Sequence, residues 1–99
     1  MIFIYITTKN KKEAEKIALH LLKNRFAACI NFFPVNSFYL WKGKIEKSKE
    51  FVCIIKTNKS FEKVKEEIKK LHSYKIPCIC KINIKADSEF KSWIKKELR

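Results

Sequence analysis

The chain is short of the residues that most loop-built active sites depend on. In 99 residues it has one glycine, two prolines, two histidines and one methionine. A single glycine, Gly43, cannot build a glycine-rich phosphate cradle, and the loop Thr7-Thr8-Lys9-Asn10 offers no arginine in its place. Only Arg25 and Arg99 carry guanidinium groups, so the net charge of +13 rests almost wholly on lysine. That charge favours polyanionic partners. Nucleic-acid readers, however, lean on arginine for bidentate and stacking contacts, and lysines along helix faces read as a solvated surface. No apolar run approaches the ~20 residues of a membrane span. The opening MIFIYITT lacks a basic head and a cleavage site, so a cytoplasmic protein is expected. Four cysteines in that compartment are expected to be reduced, and no CxxC…CxxC or CxxC…HxxxH zinc pattern is present.

What is abundant is apolar and aromatic, at 46% and 13% of the chain, enough for one folded domain spanning 1–99 with no linker or repeat. Phe26 to Thr57 dominates. Two runs, Phe26–Trp41 and Lys44–Thr57, meet at Lys42-Gly43, and the lone glycine marks a tight hairpin whose turn type the pair does not fix. Each arm reaches about 14 residues, far beyond the usual 5–6. Before it, Ile2–Thr7 reads as a buried strand. Asn10 and Glu13 then open a helix with the stripe Ala14, Ile17, Ala18, Leu21, Leu22, ending near Asn24-Arg25. After it, a helix from Asn58 or Ser60 carries Phe61, Val64, Ile68 and Leu71, and His72–Pro77 forms a loop. The alternation Ile76, Cys78, Cys80, Ile82, Ile84 predicts a last strand with those residues on its buried face, and Asp87 caps a final helix bearing Phe90, Trp93, Ile94 and Leu98.

This order is α+β, a ferredoxin-like βαββαβ sandwich with an extra C-terminal helix and a long hairpin between the second and third strands. Two helices cover one sheet face, yet several strands are apolar on both. An apolar open face and an overlong ribbon together predict a homo-oligomer.

The segments Ala28-Cys29-Ile30-Asn31, Ser37-Phe38-Tyr39-Leu40-Trp41-Lys42-Gly43-Lys44-Ile45-Glu46, Ile55-Lys56-Thr57 and His72-Ser73-Tyr74-Lys75-Ile76-Pro77 resemble, in order and spacing, the CutA family. Phe90-Lys91-Ser92-Trp93-Ile94 is similar to that family's terminal segment. The resemblance implies a homotrimer built like the PII signalling proteins that serves tolerance to divalent metals, copper (Cu2+ or Cu+) above all; no Ser/His/Asp or Cys/His set can be assembled from the residues, so no catalytic turnover is expected. It places Tyr39, Trp41, Glu46, Lys56 and Tyr74 around clefts between subunits. The chain departs from the family at Lys75 and Cys78, where an acidic or amide residue and a glutamate are common, and at Ile6, where some members have cysteine.

Metal candidates are His72, Cys78, Cys80 and Cys29. Imidazole suits copper and zinc, while a loop histidine can equally bond the backbone and shape the turn. Cys78 and Cys80 lie at i and i+2 on a strand, about 6.5–7 Å apart at Cα, a geometry that suits chelation of a soft ion better than a disulfide. Their alternation with isoleucines favours core packing instead, as does the mid-strand position of Cys29 and Cys53. His20, off its helix stripe, reads as surface. Lys56 interrupts an apolar strand face and needs a partner, for which Glu46 is the candidate. The alternative function, an RNA-binding module, shares the element order and the charge. The third strand, Lys49-Glu50-Phe51-Val52-Cys53-Ile54-Ile55, lacks its glycines and aromatic pair, so nucleic acid is not the expected partner.

Overall fold

A computed structural model describes all residues from Met1 to Arg99. Seven elements follow in order: β1 (Ile2–Thr8), α1 (Lys11–Lys23), β2 (Cys29–Trp41), β3 (Lys44–Thr57), α2 (Phe61–Leu71), β4 (Ile79–Asn83) and α3 (Ser88–Glu97). The four strands form one antiparallel sheet in the order β2-β3-β1-β4, the ferredoxin-like arrangement with β1 and β3 central.

Each helix start is set by a side chain that satisfies otherwise orphaned N–H groups. Asn10 accepts from the Glu13 N–H at 2.8 Å, Ser60 from Lys63 at 3.3 Å, and Asp87 from Glu89 and Phe90. α1 stops in a Schellman turn, with the Phe26 N–H bonding the Leu21 carbonyl at 2.8 Å and Arg25 in the left-handed region at φ 57. That turn occupies residues expected to belong to the first hairpin arm, so β2 begins at Cys29 rather than Phe26.

The core lies between the sheet and the pair α1 and α2. Ile4, Ile6, Cys53 and Ile55 from the strands meet Ala14, Ile17, Leu21, Val64 and Ile68, all fully buried. The hairpin of β2 and β3 runs past this body and gives the chain its 45 × 24 × 22 Å extents. Lys42 at φ 51 and Gly43 at φ 77 are both left-handed, which makes the two-residue connection a type I′ turn.

The last strand corrects the sequence expectation. Its core-facing residue is Ile79, whereas Cys78 and Cys80 are exposed, as are Ile76 and Ile82 at 72% and 46%. Ile79, Lys81 and Asn83 share the helix side of this edge strand, opposite Ile6, Ile4 and Ile2 of β1, and of the three only Ile79 is apolar and packs on the core. An apolar-and-cysteine alternation marks a face without saying which side of the sheet it covers.

Candidate functional site: a groove on the open sheet face

The sheet face away from α1 and α2 follows from register and alternation. Paired rows across β2 and β3 join Cys29 to Lys56, Asn31 to Ile54, Phe33 to Val52, Val35 to Glu50, Ser37 to Ser48 and Tyr39 to Glu46. β1 adds Phe3, Tyr5 and Thr7, with Tyr5 opposite Cys80 and Phe3 opposite Ile82 on β4. The face is thus apolar in its middle and polar at both ends.

At the hairpin end lies a groove of about 800 Å³, walled by Tyr39, Trp41 and Glu46 of the ribbon and by Tyr74, Lys75 and Cys78 of the loop before β4. Tyr39 and Trp41 stay 45% and 42% exposed there. Glu50 forms the floor. It is 7% exposed, and its Oε2 accepts from the Tyr74 hydroxyl at 2.6 Å. Burial, then this bond to a carboxylate, pushes the Tyr74 phenol well above its ordinary value, so it stays a donor. Glu46 and Glu50 make this a local negative spot on a chain of net charge +13.

Behind the groove wall His72 is held by the backbone. Its Nε2 donates to the Thr7 carbonyl at 2.7 Å and its Nδ1 accepts from the Tyr74 N–H at 3.1 Å. With the side chain 1% exposed and both ring nitrogens engaged, no lone pair is left for a metal. His72 shapes the turn that aims Tyr74 at Glu50. Glu13 fastens the same turn, accepting from the Ser73 and Lys9 N–H groups at 3.1 Å each. Burial raises the Glu13 carboxyl, but these bonds and the nearby His72 ring more than reverse it, and its pKa is lowered.

The sequence candidates therefore divide. Tyr39, Trp41, Glu46, Tyr74 and Cys78 share the groove, with Cys80 beside Cys78 at a sulfur separation of 3.8 Å. Cys29 and Lys56 sit at the other end of the face, where the Lys56 ammonium donates to the Cys29 sulfur at 3.6 Å and lies 5.9 Å from the Phe3 and Phe90 rings. Lys56 does not meet Glu46 within one chain, because ten residues of strand, about 33 Å, separate them. Cys53 is a core thiol, its pKa pushed up to about 11 by burial and then by the Glu13 charge. His20 bridges the helices instead of merely facing solvent, with Nε2 2.9 Å from Glu67.

Glu13 and Glu50 are the residues that sequence reasoning missed. Glu50 was within reach, since extending the alternation Val52, Ile54, Lys56 backwards puts it on the open face. Glu13 read as half of a capping box, and its bond to Ser73 spans 60 residues. No group of three or more His, Cys, Asp or Glu side chains converges to hold a metal. The donors that fit a soft ion are the Cys78 and Cys80 sulfurs alone. On the surface where an RNA-recognition motif stacks bases, β3 presents Val52, Ile54 and Lys56.

A family profile described as CutA1 divalent ion tolerance protein matches residues 2–97. The chain belongs to the CutA1 family. The divalent-cation tolerance protein CutA of Archaeoglobus fulgidus is 50% identical over 94 residues, covering 93% of this chain and 92% of its own. That of Pyrococcus horikoshii is 39% identical, covering 100% and 99%. Among solved structures, a periplasmic divalent cation tolerance protein CutA from Archaeoglobus fulgidus superimposes with a TM-score of 0.96 at 47% identity, covering both chains completely. The PII-like protein CutA from Nostoc sp. PCC 7120 does so with a TM-score of 0.92 at 27% identity, covering 100% of this chain and 98% of its own. The CutA1 fold is thus α+β and PII-like, and no helix in this chain is long and apolar enough to cross a membrane.

Proposed function

We propose that this CutA1 chain is a cytoplasmic divalent-ion tolerance protein that assembles as a homotrimer and binds copper without catalytic turnover. The observation that carries the reading is the open sheet face. It spans all four strands, shows Phe33 and Ile82 at 40% and 46% exposure, and ends in a groove holding two carboxylates and a thiol. An apolar surface of that kind calls for a partner, and a second and third copy supply one that is always present. The ion class follows from the names of the relatives, and copper from the soft sulfur donors beside the groove.

Light scattering at micromolar concentration, combined with titration of Cu(I) and Cu(II) into the reduced protein, tests this. The expected mass is that of three 11.8 kDa chains, with stoichiometric copper uptake. A monomer overturns the assembly, and failure to bind either copper ion overturns the ion assignment. Salt-sensitive binding of mixed RNA oligonucleotides in place of copper would favour the basic surface as the working one.

A further inference from the structure

We propose that Cys78 and Cys80 form a two-thiolate chelate for a thiophilic d10 cation, the class containing Zn(II), Cd(II) and Cu(I). The proposal rests on the ion-tolerance reading above and names the donors and the ion class. Three observations converge on it. First, the two sulfurs stand 3.8 Å apart. Two thiolates bound at about 2.3 Å on a tetrahedral centre are themselves about 3.8 Å apart, so the pair is set to the bite of such an ion. Second, both cysteines are exposed on the single chain, Cys80 in the edge strand β4 and Cys78 just before it, at the groove that ends the open face. Cys78 also lines the groove and opens it to the pair. Third, the surroundings favour a cation. Glu46 and Glu50 line the groove together with Cys78, and Lys75 is the one basic side chain of that lining.

Binding is a proton exchange. The cation enters, two S–metal bonds form, two S–H bonds break, and both protons leave to solvent; no oxidant or reductant is involved. Affinity therefore rises with pH. The remaining coordination positions are open to water or to another ligand from the groove.

The test is titration of the reduced full chain with Cd(II), reading the sulfur-to-metal charge-transfer band and proton release in weak buffer. The expected result is one Cd(II) per chain and two protons released per ion. Loss of outer-shell partners alone costs about 10–100-fold in affinity, so C78S/C80S is expected to weaken binding at least about 100-fold and to lose the band. C29S is expected to keep both. In the wild type, Cd(II) is expected to protect Cys78 and Cys80 from iodoacetamide, a readout that requires no variant to fold. A band that persists in C78S/C80S, or equal alkylation with and without Cd(II), overturns the chelate. Full copper stoichiometry in C78S/C80S overturns it too while leaving the ion-tolerance reading standing. Absence of both copper and cadmium binding in the wild type sinks the two together.

Discussion

At the scale of single residues, the hairpin turn gives the sharpest expectations. Lys42 adopts φ 51 with no glycine or asparagine to ease it, and a left-handed L-residue costs roughly 1–2 kcal/mol. Asparagine is the residue a type I′ turn prefers at that position, so Lys42→Asn is expected to raise stability by about 0.5–1 kcal/mol, read from the urea midpoint. Gly43 has nothing within 4 Å of where a Cβ would sit, yet its φ of +77 makes Gly43→Ala destabilising by about 1 kcal/mol through backbone strain alone. Tyr74→Phe acts by a different route. It leaves the Glu50 carboxylate, 7% exposed, without its 2.6 Å donor. A buried acceptor left unpaired costs about 1–3 kcal/mol. Thermal unfolding should fall accordingly, and an unchanged midpoint would mean that water replaces the phenol.

At the scale of elements, the loop from His72 to Cys78 is a short tether fastened twice, to the Thr7 carbonyl through His72 and to the start of α1 through Glu13. The Glu13 pKa is lowered from 4.5, so the unfolded chain takes up this proton more readily than the folded one. Its contribution is present above pH 4.5 and is lost as pH falls below that through the folded value. Glu13→Gln is expected to lower stability at pH 7 and to flatten the acid limb, so that the gap between wild type and variant narrows from pH 7 to an acid pH below 4.5. Parallel urea curves at the two pH values decide it, and a gap that persists in acid would assign the loss to packing. These fastenings also explain what was legible in the sequence. The helix stripes, the caps at Asn10, Ser60 and Asp87, and the two arms around Gly43 are local patterns with local causes. The parity of β4 was not legible, because a partly buried Ile79 beside exposed Cys78, Cys80 and Ile82 depends on which face the helices happen to cover. His72 was expected either to bind a metal or to bond the backbone and shape the turn, and the two hydrogen bonds that favour the second are visible only once β1 lies beside the loop.

At the scale of the molecule, one side of the sheet is finished and the other is not. The side under α1 and α2 holds Ile4, Ile6, Cys53 and Ile55 at full burial, while the opposite side leaves Phe33 40% exposed in the middle of a long ribbon. Phe33 takes no part in the main core cluster, so a charge there leaves the fold of one chain intact. It would, however, be driven into any surface that covers the open face, where an unpaired carboxylate is costly. Phe33→Asp is therefore expected to yield a folded monomer with unchanged far-UV circular dichroism and a lower thermal midpoint. Leu19→Asp makes the control, since Leu19 is also apolar and 52% exposed but lies on α1, away from that face. It is expected to keep the assembled mass. If light scattering instead finds both variants assembled, the copies meet through some surface other than the open face. The ribbon's length would then have to be explained by the exposed Phe38, Leu40 and Ile45 at its tip, which project beyond the body at 72%, 73% and 71% exposure.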